Sequence, residues 1–588
     1  MIRTLLRYVG KYRTAAILTP LLTAAEVLVD VMVPYVTAGL IDYGLNAGNL
    51  PNVYRYGVLM LGLSLLSLFF GIVSARAAAY SSSGFAANLR TAMFRNIQTY
   101  SFSDIDRFST AGLVTRLTTD VSNLQQAFRM MLRITIRAPF RLICSICMCL
   151  IIDARLSLIF VVALVVLSSG LYFIISRVSK LFAQVFQRYD DLNLSVQENV
   201  SAIKLVKAFV REDYETLKFS RAAQSLYRLF VKSESLMAFN DPLMKCVSYA
   251  CIMALSWFGA QFIVGGTLTT GELTSLFTYV MSILQALMML STIFVQLTMS
   301  AASGRRVCEV IEQESEIQNP KNPITEIADG SIEFNHVRFA YEKGSGEYAL
   351  NGLDFRIRSG EVIGILGGTG SGKTSMINLI CRLYDVSKGS VFVGGKDVRA
   401  YDLTALRKAV AVVLQKNVLF SGTILENLRW GDENATLEQC QEACRIAQAE
   451  EFIATMPDGY ETHIEQGGAN LSGGQRQRLC IARALVKQPK VLILDDSTSA
   501  CDTRTDALIQ TALREQLPHI TKLVIAQRIT TLQHCDRILV LDQGKVSAFD
   551  THENLLRSND IYKDIYNLQT QGEGDFDAPT NSKKQTKK

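Results

Sequence analysis

The sequence is poor in charge. Of its 588 residues only 19% are Asp, Glu, Lys or Arg, against 49% hydrophobic, and the mean hydropathy of +0.19 is high for a soluble protein. The net charge is a modest +6. Its basic residues gather near the ends of apolar segments, which reads as membrane topology and speaks against nucleic acid as a partner. A disulfide framework is also missing. The twelve cysteines are scattered, and Cys144, Cys147 and Cys149 fall inside the apolar run LICSICMCL, where small polarizable packing residues are expected rather than metal ligands. No cleavable signal peptide is expected either. MIRTLLRYVGKYR carries its positive charge first, but the next segment contains Glu26 and Asp30 and no convincing small-residue cleavage site.

What the sequence does have is long apolar runs, concentrated in its first half. Six are long enough to span a bilayer, which takes about 20 residues of helix; they lie near 14–40, 56–76, 134–152, 156–177, 243–266 and 273–300. The first contains two acids, and the third has only eleven uncharged residues, Leu142–Ile152, before Asp153. Lys and Arg crowd the amino end (Arg3, Arg7, Lys11, Arg13). They also mark the long connections after the second run (Arg90, Arg95, Arg107, Arg116) and the fourth (Lys204, Lys207, Arg211, Lys218). The short loops after the first, third and fifth runs are almost free of them. The positive-inside bias therefore places both termini and both long connections in the cytoplasm of a multi-pass protein of the inner or plasma membrane.

Composition changes after about residue 303, where a polar segment with two prolines begins. From Ser331 short strands, glycine turns and amphipathic helices indicate an α/β domain with several parallel strands. The expected organisation is an all-α six-helix transmembrane domain over 1–305, a linker over 306–330, an α/β nucleotide-binding domain over 331–570 and a disordered tail over 571–588, which has nothing to bury.

GGTGSGKT, residues 367–374, fits the phosphate-loop pattern G-x-x-x-x-G-K-[ST]. It follows the apolar run VIGIL and precedes the helical SMINLICRLY, the strand–loop–helix context that the motif requires. Glycines let backbone N–H groups curl around phosphate oxygens, and the following helix points the positive end of its dipole at them. The nucleotide cradle is thus Gly367, Gly368, Thr369, Gly370, Ser371, Gly372, Lys373, Thr374 and Ser375. Lys373 would reach the β and γ phosphates of ATP, and the Thr374 hydroxyl would ligate Mg²⁺.

About a hundred residues further on stand LSGGQRQRLCIARAL and then VLILDD. With these the chain resembles the ABC transporters, specifically the exporters whose membrane domain is fused ahead of the ATPase domain. LSGGQ, Leu471–Gln475, matches that family's signature motif, and six spans followed by one ABC ATPase domain is the half-exporter layout. The resemblance covers nearly the whole chain. It implies that Tyr341 in VRFAY stacks on adenine, and that Gln415 in VVLQKNVLFSGTILENL contacts Mg²⁺ and the membrane domain. It implies too that Asp495, the Walker B aspartate ending VLILD, holds Mg²⁺. In the family two ATPase domains meet head to tail, so Ser472, Gly473, Gly474 and Gln475 would serve a partner's nucleotide. SACD, residues 499–502, matches the D-loop, with Cys501 for the usual leucine; Leu414 replaces a usual proline, and EQGG at 465–468 the usual GERG.

Two further departures bear on catalysis. The family's catalytic carboxylate follows the Walker B aspartate and is normally Glu, where this chain has Asp496. Losing a methylene withdraws the carboxylate by about 1.5 Å, and a general base must lie within about 2.6–3.2 Å of its proton, so a rate loss of ~10²–10⁴-fold is expected. Gln527, in LVIAQR, stands where the family has its switch histidine; it can hydrogen-bond a γ-phosphate but cannot shuttle a proton. None of the five histidines (His336, His463, His519, His534, His552) falls there. The pattern is that of a degenerate-site subunit of a heterodimeric exporter, whose LSGGQ completes the competent site of a second, different half-exporter. The alternatives are a regulatory ATP-binding subunit or a homodimeric exporter with slow hydrolysis. Six spans argue against a soluble ABC ATPase, and the fused layout against an importer.

In the membrane half, residues 101–121 and 208–219 resemble the family's two coupling regions, which press on the ATPase domain. Glu26 and Asp30 share a face of the first span, and Arg129, Arg133, Arg137 and Arg141 form a basic stripe leading into the third. Ionisable groups at that depth usually face water or one another. The stripe reads either as a cationic vestibule for anionic amphipathic cargo or, preferred here, as arginines that snorkel and pair with the two acids. Small amphipathic substrates are expected, and drugs, lipids and peptides all fit the scaffold.

Overall fold

The computed structural model describes residues 1–342, 347–497 and 499–570; the tail expected over 571–588 lies outside them. The chain divides into two compact units, Met1–Gln98 with Ser109–Gln313, and Thr99–Phe108 with the residues from Glu314 onward.

The first unit is helical. Helix α1 (Arg13–Leu40) packs along α2 (Leu50–Ile97), which begins where the Asn49 side chain accepts the Asn52 N–H and Pro51 fills the first turn. Between α2 and the next long helix lies α3 (Phe102–Phe108), a member of the second unit. Then come α4 (Val121–Ile152) and α5 (Ala154–Ser201), divided at Asp153, whose carboxylate accepts the N–H groups of Arg155 and Leu156 at 2.8 and 2.9 Å. One acid thus ends the third span and caps the fourth. A single short turn, α6 (Ile203–Ala208), connects α5 to α7 (Glu212–Ala238), and α8 (Asn240–Val264) and α9 (Thr270–Glu312) complete the unit.

Among the described residues six helical segments are long and apolar enough to cross a membrane. In the apolar stretch within α2 only 6% of the residues are buried, so its side chains suit lipid rather than a protein core. The two prolines of α1, Pro20 and Pro34, remove helical N–H donors. Around Pro34 neighbouring α9 satisfies backbone carbonyls, Tyr279 Oη donating to Val31 O at 2.7 Å and Ser275 Oγ to Pro34 O at 2.6 Å.

Two outcomes differ from the composition-based boundaries. α9 runs unbroken to Glu312, past residue 305, because polarity marks where a helix leaves the bilayer and not where its hydrogen-bond ladder ends. The short helix of the second long connection is α6, upstream of 208–219; Glu212, Asp213 and Glu215 belong instead to the first turn of α7, where acids suit the helix dipole.

Among its described residues the second unit holds two larger sheets and a two-stranded ribbon that pairs Gly422–Thr423 with His463–Ile464. Its first elements are β1 (Ile332–Phe339), β2 (Leu350–Ile357), β3 (Val362–Leu366), α10 (Lys373–Ile380) and β4 (Lys388–Val393). β5 (Val410–Val413), α11 (Gly473–Val486), β6 (Val491–Asp495), β7 (Thr521–Ile525), β8 (Arg537–Asp542), β9 (Lys545–Asp550) and α12 (Asp560–Thr570) follow. The antiparallel sheet runs β2-β1-β4 with a short edge ribbon at Lys396–Asp397. The larger sheet runs β9-β8-β3-β7-β6-β5 and is parallel except for the edge strand β9. β6 and β7 are buried at every position, as expected of strands covered on both faces. One face is packed by α10 through Met376, Ile377 and Ile380, the other by α11 through Leu479, Ile481 and Ala482.

Helix α3 rests on this unit. Tyr384 Oη donates to Asp106 at 2.6 Å, and the rings of Phe102 and Tyr384 lie 6.3 Å apart.

Candidate active site

Four neighbouring strands deliver the candidate residues at their carboxyl ends, where parallel α/β sheets bind ligands. β3 runs into the loop 367–372, β6 ends at Asp495 and Asp496, β7 leads to Gln527 and β5 to Gln415. The Asp496 N–H donates to Ile525 O at 2.9 Å, fastening the end of β6 to that of β7 two residues before Gln527. Asp496 has φ +46, in the left-handed region that Asp tolerates better than most residues.

The loop folds around its lysine. Lys373 Nζ donates to Gly367 O at 2.7 Å and to Gly368 O at 2.8 Å. Gly372 has φ +100 and precedes α10, which has no side-chain cap over its first turn. A side chain at Gly372 would be strained and a Cβ at Gly368 or Gly370 would enter open space, so the loop presents its backbone to an open cradle. Tyr341 is tied to this cradle: its Oη lies 2.9 Å from Ser375 Oγ, and its ring meets Tyr384 edge-on at 5.3 Å.

Both carboxylates lie above the ordinary aspartate range. Burial does most of this at Asp495, with the Asp496 charge adding and Lys373 opposing. At Asp496 burial again leads, opposed by a hydrogen bond from the Gln415 side chain and by the charges of Arg528 and Lys373. The pair is short of positive charge. Among the described residues no group of three or more His, Cys, Asp or Glu could hold a metal alone. A hydroxyl, an amide and a buried carboxylate beside a phosphate cradle are the donors that suit Mg²⁺, which keeps water and phosphate as its other ligands. Thr374, Gln415 and Asp495 fit that set.

At the start of α11 Gly473 and Gly474 pack on the SACD segment. Ser472 opens α11 with a capping box: its Oγ accepts the Gln475 N–H at 3.3 Å, and Gln475 Oε1 accepts the Ser472 N–H at 2.9 Å. Gly474 sits so close to Ala500 that a Cβ would lie 3.1 Å from its carbonyl oxygen. Ser472 is exposed.

Sequence reasoning missed three residues here. Gln477, 4% exposed, accepts the Ala500 N–H at 2.9 Å and donates to Ser499 Oγ at 3.3 Å, joining α11 to SACD. Tyr384 links Tyr341 to α3, and Arg528 puts a cation beside Asp496. Gln477 signals itself only as one more polar residue on a helix, and Tyr384 only as an aromatic.

Comparison with known proteins agrees with this geometry. Residues 16–288 match the family described as ABC transporter transmembrane region, and residues 350–499 the family described as ABC transporter. The chain is 36% identical over 569 residues, 97% of its length and 99% of the relative's, to the uncharacterized ABC transporter ATP-binding protein YfiB of Bacillus subtilis. It is 32% identical over 489 residues to the ATP-dependent lipid A-core flippase of Desulfotalea psychrophila, covering 82% of this chain and 84% of that one. A solved structure described as a bacterial Atm1-family ABC exporter with ATP bound superimposes with a TM-score of 0.80 at 25% identity, covering 95% of this chain and 98% of the other. Six membrane-crossing helices followed by a nucleotide-binding α/β domain, similar throughout to such relatives, make this chain a multi-pass member of the ABC transporter family, an exporter with its membrane and ATPase domains fused.

Proposed function

We propose that this chain is one half of an unequal exporter pair. Its own site binds ATP with Mg²⁺ and hydrolyses it slowly, while its signature segment completes a competent site on a different half-exporter. The observation that carries this is the pair Asp496 and Gln527, at the carboxyl ends of adjacent strands beside the Lys373 loop. The shorter acid stops about one C–C bond, ~1.5 Å, short of where a glutamate carboxylate would reach. Gln527 can donate to a γ-phosphate but carries no titrating proton.

In this reading the N–H groups around Gly370 and Gly372 and the Lys373 ammonium bind the phosphates, and Tyr341 offers its ring to adenine. Thr374, Gln415 and Asp495 would hold Mg²⁺, which would supply positive charge to offset the negative charge of the phosphates. Asp496 orients water without drawing close enough to take its proton efficiently. Exposed Ser472, with Gly473 and Gly474 at the start of α11, offers hydroxyl and backbone N–H donors to the partner's γ-phosphate. The ATPase domain and both termini lie in the cytoplasm, following the Lys and Arg distribution. The cargo is a small amphipathic molecule, and a relative named for flipping lipid A-core makes lipids the first candidates.

The test compares ATP turnover by the purified chain alone, with its partner half-exporter, and as Asp496→Glu/Gln527→His. Slow turnover alone, a gain of ~10²-fold or more in the double variant and full activity only in the mixed pair are expected. Fast turnover by the unmodified homodimer removes the unequal-pair reading.

A further inference from the structure

Gln527 sits on a segment that a second glutamine holds from the far side. Gln569, near the end of α12, donates through Nε2 to Gln527 O at 2.8 Å and accepts the Ile529 N–H at Oε1, also at 2.8 Å. One side-chain amide thus spans three residues of the segment. Only a group carrying both a donor and an acceptor satisfies the two backbone atoms at once; a carboxylate or a hydrocarbon does not. α12 is itself anchored. Tyr562 is fully buried, its Oη lies 2.6 Å from His552 Nδ1, and its N–H donates to Asn559 Oδ1 at 2.8 Å.

The segment is therefore gripped at two points: by Asp496 through Ile525 O, and by Gln569 through Gln527 O and Ile529 N. Between them the side chains of Gln527 and Arg528 are exposed, and Arg528 exerts its charge on Asp496. Ile529 is 2% exposed, so it fixes the segment's depth while Gln569 fixes its rotation.

We infer that Gln569 is a positioning residue of the ATP site: it sets the backbone from which Gln527 reaches the terminal phosphate. The inference rests on the assignment of Gln527 to the switch position. Because only the γ-phosphate is sensed this way, the clamp contributes to binding of ATP and not of ADP. A residue that merely supported the fold would affect both nucleotides alike.

The experiment measures equilibrium affinities of the full-length purified chain for ATP and for ADP, each with Mg²⁺, in wild type, Gln569→Leu, Gln569→Glu and Gln527→Ala. Gln569→Leu removes both bonds, and Gln569→Glu keeps the acceptor for Ile529 but sets an anionic oxygen against Gln527 O. Both are expected to lower ATP affinity by about 3–10-fold, the order of one hydrogen bond, with ADP affinity unchanged and faster amide exchange at Ile529. An equal loss for both nucleotides, or no loss, overturns the inference if Gln527→Ala does lower the ATP-to-ADP preference. If Gln527→Ala leaves that preference intact, the switch assignment itself fails and the clamp's role falls with it.

Discussion

Two adjacent aspartates end β6, and their surroundings favour the protonated form. Burial is the main cause for each, and at Asp495 the second carboxylate adds to it. A carboxyl raised in the folded state binds more protons there than in the unfolded chain. Stability then falls as pH rises from the ordinary value of 3.8 through the raised one, and the deficit is complete above it. Asp495→Asn removes the part of that deficit that Asp495 carries. The nucleotide-free variant is expected to melt above wild type at pH 7, with the difference closing as pH approaches 3.8. Thermal scans in EDTA check this. The same variant is expected to lose the extra stabilisation that Mg²⁺ adds to ATP, since the carboxylate that costs the empty site is the one proposed to hold the cation.

At the scale of elements, the helix α11 begins where the sequence says it must. Ser472 and Gln475 form a reciprocal cap, and the two glycines between them let the turn lie against Ala500. Local pattern sufficed for this, and for β3, β6 and β7, whose apolar runs read as buried parallel strands before any pairing is known. The phosphate loop was legible for the same reason, its glycines, lysine and hydroxyl being contiguous. Tertiary partners were not legible. Nothing near Gln477 in sequence announces that its amide pairs with Ala500 and Ser499, more than twenty positions on, and nothing near Tyr384 announces Asp106. In the second connection α6 is a short helix with no periodicity to detect, whereas the amphipathic start of α7 is conspicuous. Gln477→Ala tests the tertiary tie. It removes the bonds to Ala500 and Ser499, worth about 0.5–1.5 kcal/mol each, and leaves the N–H of exposed Ala500 to water. Denaturant unfolding should register the loss, and amide exchange should rise first across residues 499–502.

For the whole molecule the question is how a chain so sparing with charge affords several ions in its membrane domain. Arg137 Nη2 lies 3.2 Å from Glu26 Oε1 and 3.4 Å from Asp30 Oδ2, and Arg133 Nη2 lies 3.7 Å from Glu26 Oε2. Ser67, on α2, donates to Asp30, so three helices meet at the cluster. Arg129 contacts Gln126 instead, and neither it nor Arg141 has an acid within 4.0 Å among the described residues. The stripe is thus split: its middle is neutralised by α1, and its two ends are not. A cation left alone in this apolar setting is costly, whereas removing both members of a pair is often nearly neutral. Glu26→Gln should accordingly destabilise the chain, but by less than the ~3–5 kcal/mol of breaking an isolated buried pair, because Arg137 keeps Asp30; Arg137→Gln should do likewise, because Glu26 keeps Arg133. Combined, the two should cost less than their sum by about 0.5–3 kcal/mol. Thermal unfolding of the three variants in one detergent measures that coupling. Strict additivity would mean that the ion pair does not bind α1 to α4 in solution, and Arg137 would then be free, like Arg129 and Arg141, to meet an anionic cargo. Strong coupling leaves only the two ends of the stripe for that task, and transport assays with Arg141→Gln, rather than Arg137→Gln, become the ones that report on it.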